Sequence, residues 1–302
     1  MNSFSEKRFF TWIGLAVLVS PLWSFDLGGL PIPKSLPGVD PKLTGVVTRS
    51  IDAENKANED LTPVQQYYLG RAFGATIMQS QKPVSNPKAN LYLNELGQAL
   101  ALASDQPETY SGYRFQILDS AEVNAFSGPG GFILITKGLV KLTRNEAELA
   151  AVVAHEIGHV ALEHGVKAIQ KDRQTGALVG IGADIGKTYG PDQVKDATVA
   201  FEGSVTDLTK NVVDKGYSRD TEFEADSRAV MVLRRTGYSP KALLAMLQEL
   251  KAMPQGSGLS IAKTHPAPQD RIDQVGKLIA SDGPVKVTPA QDQRYHAALD
   301  GL

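Results

Sequence analysis

Two histidines and a glutamate stand in a spacing that can build a metal site. Between Ala151 and His159, His155 and His159 are four residues apart, and Glu156 directly follows the first histidine. On a helix, residues four apart share a face, with Cβ atoms roughly 5–6 Å apart. Two imidazoles at that separation can bind one Zn²⁺ at Zn–N distances of about 2.0–2.1 Å. The spacing therefore predicts a zinc site on a helix.

Glu156 has a different role in this pattern. It lies about 100° around the helix from His155, since a helix has about 3.6 residues per turn, and so falls outside the ligand face. From there it can act as a general base that accepts a proton from an attacking water molecule. The surrounding helix is apolar on most sides, which is typical of a buried helix. Unpaired polar groups in such a helix are costly, and a metal ion would give them partners. The alternative is a solvated helix face that matches the pattern by chance.

A catalytic zinc usually has three protein ligands and leaves one position for water. Glu222 and Asp226 share a helix face by their spacing of four, whereas Glu224 should face solvent. Helical spacing does not choose between the first two. We favour Glu222 as the ligand, with Asp226 accepting an N–H from a liganding histidine. His164 follows His159 by five residues, so it should point away from the ligands, either behind one of them or, as we favour, at the surface.

The elements that must position these residues are mainly helices. The pattern of apolar residues also indicates three short strands, so we expect an α+β fold with a small sheet beside the helix that carries the histidines. Thr143 and Glu146 suggest a capping box for a long helix that runs to about Lys171. The strand at Gly131–Thr136 is either an exposed edge that pairs with an extended substrate or an internal strand. The expected helices cover residues 61–79, 87–103, 143–171, 218–235, 240–253 and 268–281, and the expected strands cover 113–118, 123–126 and 131–136.

Composition excludes several classes of function. The chain has 302 residues, 42% of them hydrophobic, and a net charge of −2. It has no global basic field for nucleic acid, so we expect no nucleic-acid partner. It has no cysteine, which excludes disulfides, thiolate zinc ligands and a lipid-anchored cysteine. No pattern specifies an oligomeric state.

The N-terminus predicts export from the cytoplasm. Lys7 and Arg8 precede an apolar run from Phe9 to Val19. That run is shorter than the roughly 20 apolar residues of a membrane-spanning helix, so residues 1–25 are interpreted as a secretory signal or, alternatively, as an uncleaved membrane anchor. Residues 26–60 are proline-rich and then polar, which is typical of a linker. The folded domain is expected over 61–282, followed by a C-terminal tail, 283–302.

Four ordered motifs resemble one known family over about residues 60–282. They are His155-Glu156-x-x-His159, Asn124-Ala-Phe with the segment 129–139, Ser218-Arg-x-x-Glu222-x-x-Ala-Asp226, and His265-Pro-x-x-x-x-Arg271. Together they resemble the HtpX, BepA and CAAX-prenyl-protease type of zinc metallopeptidases, and most closely its short, soluble, periplasmic members. The resemblance implies a zincin-like metalloprotease domain with one Zn²⁺ per chain and Glu222 as the third ligand.

The resemblance also implies endopeptidase activity on misfolded or misassembled envelope proteins in the periplasm. The chain shows no series of membrane spans, so processing of prenylated peptides is not expected. Few residues follow the last motif, so we also expect no helical repeat domain like that of the longer BepA type. Membrane association is expected only through an uncleaved N-terminus. Two alternatives stay open. The chain could be a chaperone or assembly factor with a dormant zinc site, or a purely structural zinc domain.

The remaining motif residues have several possible roles. His265 and Arg271 are candidate donors to the oxyanion that develops during peptide hydrolysis. Equally, His265 could cap a helix and Arg271 could form a structural ion pair, or His265 could bind zinc as a self-inhibiting fourth ligand. Asn124 is grouped with Asp226 as a residue that supports the ligands rather than binding the metal.

Overall fold

The computed structural model describes residues 60–171, 216–253, 261–265 and 268–302; within these ranges it has three strands, the nine helices named below and a further helical segment over residues 164–171. The expected mainly helical α+β fold with a small sheet is confirmed. In chain order the elements are α1 (Pro63–Ser80), α2 (Pro87–Leu102), β1 (Arg114–Leu118), β2 (Ala125–Gly128), a 3-10 turn (Pro129–Gly131), β3 (Phe132–Thr136), α3 (Lys137–Leu142), α4 (Glu146–Ala161), α5 (Arg219–Arg235), α6 (Lys241–Ala252), α7 (Ile261–Thr264), α8 (Pro268–Leu278) and α9 (Pro289–Leu299).

The sheet has the order β1-β3-β2, so β3 is its central strand. β3 pairs in parallel with β1 (Ile133 opposite Phe115) and antiparallel with β2 (Ile135 opposite Ala125). The prediction that Gly131–Thr136 forms an exposed edge is therefore wrong, and the internal alternative is correct. Four of the five β3 residues are buried, as expected for a strand that has neighbours on both sides and is covered on both faces.

The start of α4 differs from the predicted capping box. Thr143 ends α3, where its hydroxyl donates to the Val140 carbonyl at 2.6 Å. Asn145 is the N-cap of α4, and its side-chain oxygen accepts a hydrogen bond from the Glu148 amide at 3.0 Å. The prediction fails because a short helix precedes α4 and uses Thr143 as its own terminus, and Asn is an equally good N-cap residue.

Glu146, the first residue of α4, is fully buried and anchors this end of the helix. Its carboxylate accepts hydrogen bonds from the hydroxyls of Tyr92 (3.0 Å) and Tyr238 (2.6 Å), and it forms an ion pair with Arg294. Arg294 belongs to α9, a helix that the sequence analysis does not predict in residues 283–302. The missed signal is the capping box of Thr288 and Gln291. Through this ion pair, α9 stabilises the first turn of α4, the helix that carries both histidines.

α4 ends at Ala161 rather than near Lys171. Leu162 and Glu163 form a turn, with Glu163 at a φ of 55°, and a second helical segment follows over residues 164–171. The Gln66 side-chain amide donates to the Glu163 carboxylate at 2.8 Å and supports this turn from α1. The predicted continuous helix is wrong because a contact with a residue distant in the sequence stabilises a left-handed conformation that non-glycine residues rarely adopt.

α4 packs closely against α5, the helix that carries Glu222. Gly158 makes this contact possible, because a Cβ atom at that position would lie 2.9 Å from the Ala225 carbonyl oxygen and 3.2 Å from its Cα. The two backbones therefore approach more closely than larger residues would allow. The interface brings the two halves of the predicted zinc site to one side of the core.

Several expectations concern residues outside the described ranges. They are the export signal or anchor at residues 1–25 and nearly all of the linker at 26–60. Within the described ranges, no helix has the length and apolar character required to cross a lipid bilayer.

Candidate metal centre

His155 and His159 project from α4 into a buried site. Their exposed fractions are only 5% and 1%, and their Nε2 atoms lie 3.1 Å apart. The four-residue spacing on an unbroken helix produces this convergence, because both side chains leave the same face.

Glu222 reaches the same point from the first turn of α5. The Ser218 side chain caps this helix. The Glu222 carboxylate is fully buried, and its Oε2 lies 3.5 Å from Nε2 of His155 while its Oε1 lies 3.5 Å from Nε2 of His159. Ligand atoms around a tetrahedral zinc with bonds of about 2.0–2.1 Å are about 3.3 Å apart, so these three donors fit such an ion. Two imidazole nitrogens and one carboxylate oxygen are also a donor set that zinc commonly has in enzymes.

A third histidine completes the cluster. His265 follows the short helix α7, and its Nδ1 lies 3.0 Å from a Glu222 oxygen and 3.4 Å from Nε2 of His155. Single donor atoms of His155, His159, Glu222 and His265 all lie within 4.8 Å of one another. The site thus offers up to four protein ligands.

Asn124 positions His265 indirectly. Its side-chain oxygen accepts hydrogen bonds from the Ala125 amide and the Thr264 hydroxyl, both at 2.9 Å. The Tyr217 amide donates to the Thr264 carbonyl at 3.0 Å, and the Tyr217 ring stacks on His159 with centroids 4.1 Å apart. Asn124 therefore supports the segment that carries His265. The sequence analysis gave no role to Tyr217.

Asp226 and Arg271 lie beside His155, where Asp226 faces the Nδ1 atom and not the Nε2 atom that faces the cluster. Asp226 Oδ1 lies 2.9 Å from Nδ1 of His155. Arg271 donates to both Asp226 oxygens, from Nε at 2.8 Å and from Nη2 at 2.7 Å, and its Nη1 lies 2.8 Å from a Glu222 oxygen. Both residues are buried. This geometry favours the structural ion pair over the oxyanion donor as the role of Arg271.

Glu156 flanks the cluster without belonging to it. Its side chain is buried, one carboxylate oxygen lies 3.7 Å from Nε2 of His265, and the other, Oε2, has no hydrogen-bond partner. A buried carboxylate oxygen without a partner is costly in a purely structural setting. Its position suits a group that exchanges a proton with a bound molecule.

His164 differs most from its expected place. It is buried, and its Nδ1 lies 2.9 Å from Nδ1 of His159. Its Nε2 lies 3.2 Å from Glu224, whose side chain is 60% exposed as predicted. The interpretation of His164 as a surface residue is wrong, because the turn at Leu162 and Glu163 redirects the chain; the less favoured position behind a ligand is correct. Neither turn residue, Leu162 or Glu163, is a glycine or proline that would have predicted the turn, and the nearest glycine is Gly165.

The charges around the cluster keep the carboxylate of Glu222, the predicted third ligand, in its ionised form. Desolvation acts to raise the pKa of Glu222, but His265 and Arg271 hold it well below its usual range. Desolvation and Arg271 act to lower the pKa of His155, whereas hydrogen bonds to Asp226 and Glu222 outweigh them and raise it to about 9. Burial lowers the pKa values of His159 and His164. An anionic carboxylate and a neutral imidazole are the forms that bind metals, so Glu222 and His159 are already in these forms, whereas a metal would have to displace a proton from His155.

The fold and this cluster define a class of protein. The model of peptidase family M48 matches residues 87–279, which include all four motifs from Asn124 to Arg271. The chain belongs to peptidase family M48, a family of metallopeptidases, and the resemblance found in the sequence is confirmed.

Three curated relatives illustrate the similarity. The beta-barrel assembly-enhancing protease of Escherichia coli (strain K12) is 25% identical over 243 residues, which cover 80% of this chain and 49% of the relative. The metalloprotease LoiP of the same organism is 31% identical over 179 residues, which cover 59% of this chain and 65% of the relative. The metalloprotease YcaL of this organism is 27% identical over 209 residues, which cover 69% of this chain and 78% of the relative. The chain spans about half the length of the beta-barrel assembly-enhancing proteases that it matches.

Proposed function

We propose that this chain is a zinc-dependent endopeptidase, with His155, His159 and Glu222 as metal ligands and Glu156 as general base. One observation carries the proposal. The Nε2 atoms of His155 and His159 are 3.1 Å apart, and each lies 3.5 Å from one oxygen of the Glu222 carboxylate, in a buried site beside a glutamate with an unpaired carboxylate oxygen. Separations of this size suit zinc, and the additional carboxylate suits hydrolysis rather than a purely structural ion.

Each residue then has a defined chemical role. When bound, zinc supplies Lewis acidity, which polarises the scissile carbonyl and lowers the pKa of water toward about 7. Glu156 takes the proton of the attacking water and delivers it to the leaving amine. Asp226 accepts the Nδ1 proton of His155, so that Nε2 faces the metal. Arg271 keeps Asp226 and Glu222 ionised in the dry interior through the ion pairs at 2.7 and 2.8 Å.

The proposed substrates are misfolded or misassembled proteins of the cell envelope. The name of the beta-barrel assembly-enhancing protease supports this choice, together with the positive and then apolar pattern at Lys7–Val19. The same pattern supports a location in the periplasm, with residues 1–25 as an export signal or membrane anchor and 26–60 as a linker before the peptidase domain.

Removing and restoring the metal tests the proposal. We expect purified chain to contain one zinc per molecule, to hydrolyse casein, to lose that activity with a chelator and to regain it with Zn²⁺. Metal content by mass spectrometry and casein hydrolysis by release of soluble peptides are the measurements. Glu222→Ala should remove both zinc and activity, whereas Asp220→Ala, which changes an exposed acid two residues earlier on the same helix, should preserve both. A parent protein that binds zinc stoichiometrically but never cleaves casein would favour a chaperone with a dormant site.

His265 supports a second candidate, a site with four protein ligands. Its Nδ1 is as close to Glu222 (3.0 Å) as a fourth ligand atom would be. A zinc held by four protein ligands is typical of structural sites, whereas catalytic zinc keeps a position for water. Within the proposed peptidase, this contact supports a latent form in which His265 would hold the position of the water and would have to move away for catalysis.

Replacing His265 by Ala separates the latent peptidase from the structural zinc domain. If the enzyme is latent, zinc content is retained and casein hydrolysis rises at least about twofold, because activity scales with the fraction of molecules whose fourth position is open. The measurements are zinc stoichiometry and initial rates. A loss of zinc from His265→Ala, with no hydrolysis by the parent, would identify a structural site, and unchanged or lower activity with full zinc would exclude self-inhibition.

A further inference from the structure

His164 lies next to the metal cluster because the chain turns sharply after α4. On a continuous helix, a residue five positions after His159 would lie about 140° around the axis from it. Glu163 instead adopts a φ of 55°, and the Gln66 amide holds its carboxylate at 2.8 Å. The following residue is thereby directed back toward the ligand face. A left-handed non-glycine residue costs free energy, so this turn is maintained by its surroundings.

The two ring nitrogens of His164 contact different groups. Nδ1 lies 2.9 Å from Nδ1 of His159, and Nε2 lies 3.2 Å from Oε2 of Glu224. His164 is 4% exposed, and the planes of the two imidazoles are 72° apart. The three side chains form one row that leads from the metal cluster to the exposed face of α5.

The positions of the protons in this row follow from the side of His159 that faces the metal. Its Nε2 is the atom near His155 (3.1 Å) and Glu222 (3.5 Å), so a metal would bind there and Nδ1 would carry the proton. That proton points at Nδ1 of His164, which must accept it. His164 then carries its own proton on Nε2, opposite the Glu224 carboxylate. Every donor in the row meets an acceptor.

We propose that His164, held by Glu224, is a positioning residue that fixes His159 in the tautomer and orientation required for metal binding. The proposal rests on the metal site proposed above. It gives each histidine ligand its own orienting group, since Asp226 contacts Nδ1 of His155 directly at 2.9 Å and Glu224 acts on His159 through His164. Groups that orient a metal-binding histidine typically change metal affinity by about 10- to 100-fold when they are removed.

Two substitutions of His164 distinguish positioning from packing. In His164→Leu the side chain keeps its bulk but loses the acceptor for His159, and we expect zinc affinity to fall by about 10- to 100-fold. In His164→Asn the side-chain oxygen can take the place of Nδ1 as acceptor, so we expect affinity within roughly threefold of the parent, well above the Leu variant. Affinity is measured by competition between the metal-free protein and a chelating dye, without substrate. Parent-like affinity in His164→Leu, or an equal loss in the Leu and Asn variants, would overturn the proposal.

Glu224→Gln tests the role of Glu224 at the exposed end of the row. Asp220→Asn is the control, because it also removes one exposed negative charge from the same helix. We expect the Gln variant to bind zinc more weakly than the Asp220 control, and the visible spectrum of bound Co²⁺ to change only in the Gln variant. An effect no larger than that of the control would overturn the assignment of Glu224. Thermal unfolding of each metal-free variant shows whether it is folded.

His155→Ala serves as the test of the metal site itself. If zinc affinity survives that change, the proposed function fails, whereas a failure confined to the His164 variants leaves the proposed function intact.

Discussion

Glu156→Gln is expected to slow peptide hydrolysis by about 100- to 10,000-fold while zinc stays bound, the range typical of a general base. Gln has the same shape as Glu and fits the same buried space, but its amide does not take up a proton from water. Glu156 is not one of the four clustered donors, and its Oε2 has no hydrogen-bond partner, so we expect both zinc binding and folding to survive the substitution. The loss should therefore appear in kcat rather than in metal content.

The measurement compares zinc stoichiometry and casein hydrolysis for the parent and Glu156→Gln in the same preparation. Glu95→Gln is the matched control, because Glu95 is an exposed glutamate on α2, away from the site, and its change should affect neither quantity. If hydrolysis by the Glu156 variant persists with zinc in place, the assigned general base is incorrect and the enzymatic proposal loses its mechanism.

Arg271→Met is expected to destabilise the metal-free protein by about 3–5 kcal/mol, the effect typical of removing one partner from a buried ion pair. Arg271 is 4% exposed and is held between Asp226 and Glu222. Methionine fills much of the same space, but it carries no charge, so the buried carboxylates of Asp226 and Glu222 both lose the guanidinium that pairs with them. The ion pairs themselves contribute less than this value, because most of the cost arises from the unpaired charges.

Urea unfolding followed by circular dichroism measures the change in free energy. Arg234→Met is the control, since Arg234 forms an ion pair with Asp282 at 2.6 Å but its side chain is 43% exposed. Exposed pairs contribute about 0–1 kcal/mol, so this variant should differ little from the parent. A parent-like stability of Arg271→Met combined with a large fall in kcat would instead identify Arg271 as a donor to the transition state.

The sequence predicts the parts of the site that depend on local periodicity. His155, Glu156 and His159 lie on an apolar helix, so their relative directions follow from helix geometry alone. The i,i+4 pair of Glu222 and Asp226 is also local, but spacing does not decide which carboxylate faces the metal. That choice depends on how α5 packs against α4, and here the resemblance to a family supplied what the pattern did not.

Two features that sequence analysis missed, the turn after α4 and the central position of β3, depend on contacts between distant segments. The turn at Glu163 is supported by Gln66, which lies 97 residues earlier, and it decides where His164 points. The central position of β3 depends on its parallel partner β1, a pairing that no local pattern specifies. The N-cap of α4 was misplaced for a more local reason, since both Thr143 and Asn145 are suitable cap residues and a short preceding helix decides between them.

The close contact at Gly158 has a consequence for how the proposed metal site would bind and release a zinc ion. Because the backbones of α4 and α5 touch there, the distance from the imidazole pair to Glu222 is set by main-chain packing rather than by flexible side chains. As the proposed metal ligands, His155, His159 and Glu222 would form a preorganised chelate, which loses little conformational entropy when it binds a cation. His265, in contrast, follows a four-residue helix that Asn124 and Tyr217 hold by a few hydrogen bonds. If His265 is a fourth ligand, we therefore expect its release to involve this short segment rather than α4 or α5.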